Sequence, residues 1–203
     1  PDDIDASLFP QVYEDESSNS GARIHSDSWG TEEAGQYTAD SRAVDKYTFE
    51  HPDFLVVVAA GNEAVDDVIP YGVVDTGSID APATAKNCIA VGASENYRTT
   101  GGYAADKWTD FGFRYSPINT DYCSRPYDGQ HQGMCPASCR GPCTDNRIKP
   151  DLVAPGTDIL SLKSSVVIED PSSDYSELYY NNYYWFSTGT SMSTPLVAGS
   201  AAL

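Results

Sequence analysis

The sequence has little positive charge. Among its 203 residues, 12 Lys and Arg face 30 Asp and Glu, and the formal net charge is −18. Such a charge repels phosphate backbones and anionic lipid headgroups, so neither nucleic acid nor an acidic membrane surface is expected as a partner. The composition fits a secreted or salt-tolerant protein and is compatible with bound cations, although it names none.

Long apolar runs are also lacking. The longest, at 54–60, is far shorter than the roughly 20 residues that cross a bilayer, so no membrane segment is expected. The chain begins with Pro1 and shows no targeting segment, and it stops at Leu203 inside an apolar, helix-like run. We therefore expect an internal piece of a longer protein, whose location the missing signal peptide does not reveal.

The remaining pattern alternates strands with helices within one expected domain, 1–203. Residues 54–60 and 88–93 are continuous apolar runs typical of strands buried on both faces of a parallel sheet. Residues 37–50 have helical spacing, with Thr38 or Asp40 as the N-cap. This alternation predicts an α/β fold. Residues 1–20 suggest a surface helix and a loop, 95–149 are loop-rich, and further short strands are expected at 22–30, 152–156, 158–162 and 183–187.

One candidate for chemistry is Ser191, which lies where a glycine and three hydroxyl residues lead into a small, apolar helix. The N-terminus of a helix carries unpaired N–H groups and the positive end of the helix dipole, which favour developing negative charge. A serine at this place is either a helix cap or a nucleophile.

A second candidate is Asn62, which follows Gly61 directly after the buried strand at 54–60. The carboxyl ends of strands in an open α/β sheet are where ligands bind. A carboxamide there can donate an N–H to an oxyanion, although an asparagine in a turn is the simpler interpretation of this residue alone.

Taken together, these stretches resemble the subtilisin-like serine peptidases, the subtilase family. The resemblance covers about 22–203, is weakest at 95–138 and 163–182, and leaves 1–20 weakly matched. It rests on several motifs in the order of the family, namely SWG at 28–30, AAGN at 59–62, PATAKN at 82–87, VGA at 91–93, RIKPD at 147–151, APG at 154–156, GTSMSTP at 189–195 and VAG at 197–199.

The resemblance implies a subtilisin-like three-layer fold with a mostly parallel central sheet, incomplete in this chain. It also implies a polypeptide substrate, no cofactor for the chemistry, and structural calcium in many members. Ser191 matches the nucleophile, Asn62 the side-chain donor to the oxyanion, and Thr190 a supporting residue. Substrate-binding positions are matched by Ser28, Trp29, Gly30, Ala60, Gly61, Pro82 and Ala83, with Trp29 equally well explained as a packing residue.

Two members of the family's catalytic triad have no match. The family orders them Asp, His, Ser, and neither His25, His51 nor His131 is followed by the Gly-Thr of the histidine motif. We expect the Asp and His to lie upstream of residue 1, because a serine without a base keeps its proton and is a poor nucleophile. The chain by itself should therefore be inactive.

Two other functions compete with the serine peptidase. One is a binding module that keeps the fold but lacks the upstream triad members. The other is an aspartic peptidase using Asp75, since VVDTGS at 73–78 is similar to the turn of that class. That mechanism needs two such carboxylates, and the sequence has no second Asp-Thr-Gly or Asp-Ser-Gly.

The five cysteines divide into Cys88, which lies in an expected buried strand, and four in the loop region 113–146 or near it. An even set in an extracellular fold suggests two disulfides, with three pairings open. A zinc site is the alternative, although Cys-x₂-Cys spacing is lacking. The four residues are Cys123, Cys135, Cys139 and Cys143.

Overall fold

A computed structural model describes residues 9–14, 21–124, 133–165 and 178–203. Its main feature is a four-stranded parallel sheet in the order β1 (Ile24–Asp27), β2 (Leu55–Ala59), β3 (Ile89–Ser94) and β4 (Leu152–Pro155). Ile24 pairs with Leu55, Val57 with Ile89, and Val91 with Leu152. The apolar runs of the sequence thus form β2 and β3 in the middle of the sheet, as predicted.

One face of the sheet is covered by helices α1 (Phe9–Glu14) and α2 (Ala39–Glu50). Thr38 is the N-cap of α2, where its hydroxyl accepts a hydrogen bond from the Ser41 amide at 3.5 Å. Val44 and Tyr47 of α2 pack on alternate residues of β2, and the fully buried Tyr13 of α1 joins the same core. The expected surface helix near the start of the chain therefore contributes a core residue.

The other face carries α3 (Thr190–Ala201), which contacts all four strands. Ser193 and Thr194 are buried on the side of α3 that meets the sheet, and the Ser193 hydroxyl donates to the carbonyl of Ala154 at 2.9 Å. Helices on both faces of a parallel sheet make three layers, as predicted. Strands β5 (Ile159–Leu162) and β6 (Tyr184–Ser187) form a separate antiparallel pair that leads into α3.

In its described residues, 95–124 and 133–151, the long connection from β3 to β4 is largely irregular, as expected, and it includes short 3₁₀ helices at Trp108–Phe111 and Ile118–Thr120. A second core lies beneath it, formed by loop residues that pack against the carboxyl end of the sheet. Its buried apolar members are Ala64, Val74, Ala93, Trp108, Phe113, Cys123, Cys135 and Cys139. This connection therefore builds one wall around the end of β2.

The expected disulfides do not form in the structure, in which all five cysteines are buried free thiols. The prediction of two bridges was wrong because cysteines that cluster in the sequence separate in space. Cys143 packs with Cys88 in the core between α2 and the sheet, whereas the other three lie in the second core. Burial raises the pKa of the Cys88, Cys135 and Cys139 thiols to about 12, so these groups act as small apolar side chains.

No helix in the described ranges has both the length and the apolar character needed to cross a bilayer.

Candidate active site

Ser191 is the second residue of α3, and the N-cap position belongs to Gly189, which makes no side-chain cap. Gly189 has a φ of 143°, and a Cβ there would lie 3.1 Å from the Asn62 side chain. The backbone turn into α3 therefore requires glycine. It also leaves Ser191 two positions past the cap, so the capping interpretation of this serine was wrong.

The Ser191 hydroxyl is half-exposed and lies against the carboxyl end of β1. It donates to the Ser28 carbonyl at 3.2 Å, and the Ser28 hydroxyl donates back to the Ser191 carbonyl at 3.0 Å. These reciprocal bonds hold the start of α3 beside the segment 28–30. A nucleophile here would lie next to an exposed backbone edge.

Asn62 lies directly after β2 and faces the start of α3. Its Oδ1 accepts from the Thr190 amide at 2.8 Å and from the Thr190 hydroxyl at 3.1 Å. Since an amide N–H can only donate, the oxygen of the carboxamide must face Thr190 and the NH₂ group must face away. Nothing in the described part of the chain accepts from Nδ2, which leaves an oriented donor beside Ser191.

The buried Thr190 side chain holds this arrangement in place. It is fully buried, and its hydroxyl also contacts the backbone of Gly61, with the carbonyl oxygen and the amide nitrogen each at 3.3 Å. One side chain thus joins the turn after β2 to the first turn of α3. The sequence predicted a supporting role for Thr190, and these contacts show the geometry that such a role needs.

The predicted substrate-binding positions form three adjoining segments. Residues 28–31 meet residues 80–83 through paired backbone bonds between Thr31 and Ala81 at 2.8 and 3.1 Å. The Asp80 amide donates to the Ala60 carbonyl at 3.0 Å, which brings residues 60–63 to the same place. Ser28 and Gly30 are exposed, and Trp29 packs partly against the core while its Nε1 donates to Asp27 at 3.1 Å.

Four of the predicted substrate-binding residues are buried. Ala60 and Ala83 are fully buried in the core, and Pro82 and Gly61 are also buried. Because they are buried, these four residues offer a substrate little side-chain surface.

Two acidic residues that sequence reasoning did not select lie between these segments. Asp80 is buried against the glycine faces of Gly30 and Gly61, and it shares a hydrogen bond with the carboxyl group of Glu63. Burial, followed by the Glu63 hydrogen bond and charge and then the charge of Glu32, raises the pKa of Asp80 to about 8. The available signals were an acid between the apolar Ile79 and Ala81, and an acid directly after Asn62.

Glu63, Asp80 and Cys139 also form the one group of candidate metal ligands in the described ranges, with one ligand atom from each within 4.8 Å of the others. The Cys139 thiol donates to Glu63 Oε2 at 3.6 Å, and its raised pKa keeps it protonated in the free protein. A divalent cation would have to displace that proton, which disfavours a metal here.

On the other side of Asn62 lies an apolar cleft of about 490 Å³. Asn62, Glu63 and Gly189 form its rim, and aromatic residues from the β3–β4 connection form its wall. Those aromatic residues are Tyr103, Trp108, Phe111 and Phe113. The cleft is large enough for one or two apolar side chains.

Neither histidine in the described part of the chain hydrogen-bonds to Ser191. His25 Nε2 lies 2.6 Å from Asp27 Oδ1, and His51 lies 3.0 Å from the Tyr47 carbonyl and 3.5 Å from Glu14. His131 lies outside the described residues. Both described histidines are therefore engaged by groups other than Ser191.

Asp75 serves a loop. Its carboxylate accepts from the Asp67 amide at 2.9 Å and from the Val68 amide at 3.2 Å. These bonds close the turn at 66–75, and they explain the Asp-Thr-Gly pattern without an aspartic peptidase.

With the site described, its relationship to known proteins can be stated. The model of the subtilase family, Peptidase S8, matches residues 5–203. The chain therefore belongs to the subtilase family of serine peptidases. The match begins well before residue 22, so the family resemblance is broader than the sequence motifs indicated.

Curated relatives agree with this assignment. Serine protease AprX of Bacillus subtilis is 30% identical over 73% of this chain, and pyrolysin of Pyrococcus furiosus is 34% identical over 81%. The serine protease/ABC transporter B family protein tagD of Dictyostelium discoideum is 28% identical over the whole chain. The chain spans 25%, 10% and 13% of these relatives, respectively.

Solved structures share the fold. Sphericase matches with a TM-score of 0.54 at 24% identity, covering 97% of this chain and 47% of its own. The prenylagaramide maturation protease PagA matches with a TM-score of 0.53 at 22% identity, covering 98% and 49%. The chain corresponds to about half of each of these structures.

Proposed function

We propose that this chain is the part of a serine endopeptidase that carries the nucleophile and the oxyanion site, with Ser191 forming the acyl-enzyme. The single observation that supports this most is the Thr190 bridge, which fixes the Asn62 carboxamide with its NH₂ group directed away from Thr190, beside Ser191. Since Thr190 occupies the carboxamide oxygen, the NH₂ group is the part of Asn62 that stays available to a substrate.

In this mechanism the peptide carbonyl lies between Ser191 Oγ and Asn62 Nδ2. Attack of Oγ forms the C–O bond, and the carbonyl electrons move onto oxygen, where Asn62 and the Ser191 amide at the start of α3 stabilise them. The proton of Ser191 passes to a base and then to the leaving amine as the C–N bond breaks. Water then attacks the ester by the same steps and releases the second product.

The base and its orienting carboxylate are proposed to come from polypeptide outside residues 1–203. In support, the two described histidines are held by Asp27 and by Tyr47 with Glu14, away from Ser191. The exposed edge at 28–30 would pair with an extended substrate by adding a strand, beside the serine that Ser28 already contacts.

The test uses the intact protein that contains this chain and a fluorophosphonate probe, which labels only an activated serine. We expect labelling and peptide hydrolysis in the wild type, and loss of both in Ser191→Ala. Removal of the nucleophile costs subtilisin itself about 10⁶-fold in turnover. Ser200→Ala, an exposed serine of the same helix, is the matched control and should label normally.

Absence of labelling in the intact, folded protein would contradict the proposal and would favour a catalytically inactive binding module. Residues 1–203 alone should give neither labelling nor hydrolysis, because the base is not supplied. Labelling of this isolated chain at Ser191 would overturn the assignment of the base to another part of the polypeptide.

Structural calcium and an extracellular location are further proposals, supported by the net charge of −18. Calcium predicts that a chelator lowers the melting temperature of the intact protein, and an unchanged melting temperature would contradict it. Secretion predicts that the protein accumulates in the medium, whereas retention in the cell pellet would contradict it.

A further inference from the structure

Asp80 occupies the junction of the three segments that surround the proposed substrate pocket. A Cβ on Gly30 would lie 3.4 Å from the Asp80 Cβ and 3.8 Å from its Oδ2. A Cβ on Gly61 would collide with the same Oδ2. Because both positions are glycine, the Asp80 carboxylate has room directly behind the backbone of these two segments, where any side chain would displace it.

The position of this carboxylate relative to the chemistry follows from the chain. Gly61 immediately precedes Asn62, the proposed donor to the reacting carbonyl, and Gly30 ends the edge that begins beside Ser191. The substrate residue before the cleaved bond would extend its side chain between these two edges. That side chain would pass the two glycines and reach Asp80.

The floor is anionic and lacks a positive partner. Asp80 is 4% exposed, and in the described part of the chain no N–H group donates to its carboxylate and no cation pairs with it. Its side-chain partner is Glu63, another acid with which it shares a hydrogen bond, and Glu32 adds further negative charge nearby. A buried carboxylate in such surroundings is stabilised by any cation that reaches it.

Glu63 is fixed where it can share that cation. Its Oε2 accepts from the Asn62 amide at 2.6 Å and from the Cys139 thiol at 3.6 Å, which leaves Oε1 for Asp80 or for a ligand. Two carboxylates on one side of a pocket match the planar, multiply donating guanidinium group, and they also match an ammonium group.

From this geometry we propose that the enzyme cleaves after arginine or lysine, whose charged end binds between Asp80 and Glu63. The inference rests on the proposed function, since it gives the substrate class of the same site. A divalent cation held by Glu63, Asp80 and Cys139 is the competing occupant, and the protonated thiol of Cys139 argues against it.

The experiment compares peptides that differ only in the residue before the cleaved bond: arginine, lysine or norleucine. Norleucine has the length of lysine without its charge. We expect kcat/KM for arginine and lysine to exceed that for norleucine by about 10–100-fold, the range of a charge-assisted hydrogen bond. Fluorophosphonate titration in each sample counts the active sites.

Asp80→Asn and Glu63→Gln should each lower kcat/KM for the basic peptides by about tenfold or more and change the norleucine value by less than about threefold. Glu50→Gln removes one negative charge from the exposed end of α2 and should change none of the three values. Equal labelling stoichiometry in all variants shows that a loss is not due to unfolding.

Normal labelling with norleucine cleaved as well as lysine would overturn the charged pocket and leave the serine mechanism standing. Absence of labelling in the wild type would overturn both. Calorimetric titration with zinc alone tests whether Glu63, Asp80 and Cys139 bind a metal instead. Tight zinc binding that is lost in Asp80→Asn, without a preference for basic peptides, would assign the three residues to a metal and contradict the proposal.

Discussion

Asn62 separates two surroundings of opposite chemistry. On one side, the acids Asp80 and Glu63 lie together, with Asp80 buried against two glycines. On the other, Trp108 and Phe113 line an apolar cleft built by the loop connection from β3 to β4. From this difference we propose that the substrate is selected by charge before the cleaved bond and by apolar area after it, with the Asn62 carboxamide serving the chemistry between them.

The two sides also treat buried acids differently. Asp80 faces other carboxylates, whereas Glu95 beneath the aromatic cleft accepts from Trp108 Nε1 at 2.9 Å and from the Gly133 amide at 3.2 Å. Glu95 is therefore satisfied by the fold itself, while Asp80 is left for a ligand. A buried acid with neutral donors is a structural group, and one without them is a candidate binding group.

The largest expected effect is at the boundary between the two sides. Asn62→Ala removes the oriented donor and should lower kcat by about 10²–10³-fold, a figure measured on subtilisin itself. Because the oxyanion forms with every substrate, steady-state kinetics should show the same factor for arginine and norleucine peptides, with little change in KM. A loss confined to one peptide would place Asn62 in a specificity pocket instead.

On the apolar side, the ionisation of Glu95 should make the stability of the protein depend on pH. Burial raises the pKa of Glu95 to about 7, whereas the Trp108 and Gly133 hydrogen bonds lower it. A carboxyl group with a pKa above its unfolded value of about 4.5 binds protons better when folded, so stability should fall by about 3 kcal/mol as pH rises from 4.5 to 7.

Urea unfolding of the intact protein at pH 5 and pH 8 should therefore show a smaller pH dependence in Glu95→Gln than in the wild type. Gln also loses one of the two hydrogen bonds, which lowers stability at both pH values. Glu50→Gln is the control with wild-type pH dependence. An unchanged pH dependence in Glu95→Gln would mean that Glu95 is ionised in the folded protein.

On the acidic side, the preference for a basic peptide should increase as the pH rises. Asp80, which faces Glu63, Glu32 and the protonated Cys139, ionises near pH 8 and then attracts a cation more strongly. The ratio of kcat/KM for arginine and norleucine peptides should rise about tenfold from pH 6.5 to 9. Dividing by norleucine cancels the titration of the base. The ratio should be flat in Asp80→Asn, and a sloping ratio there would exclude Asp80 as its source.

The smallest expected effect is on the wall of the cleft. Phe111 is 43% exposed, so Phe111→Ala removes little buried area and should raise KM about threefold for peptides with leucine after the cleaved bond. The arginine preference should not change. Phe49→Ala, at a residue 81% exposed on α2, is the matched control. An equal effect of both variants would show that the cleft does not bind substrate.

The sequence predicted most of the framework because its signals are local. The apolar runs at 54–60 and 88–93 can be buried on both faces only as central strands, and Thr38 is a cap followed by helical spacing. The buried free thiols were not predictable, since pairing depends on where Cys143 and Cys139 lie in space. The free carboxamide of Asn62 depends likewise on a contact with Thr190, 128 residues away.

By itself, the sequence determined the family and the α/β order of the elements, and it predicted which residues attack the substrate and bind the oxyanion. These follow from short motifs, because each motif depends only on residues that are adjacent in the sequence. Only the tertiary structure decided that Asp80 and Glu63 meet beneath two glycines. A carboxylate gains its character from burial and nearby charge, and both are set by segments that the sequence keeps far apart.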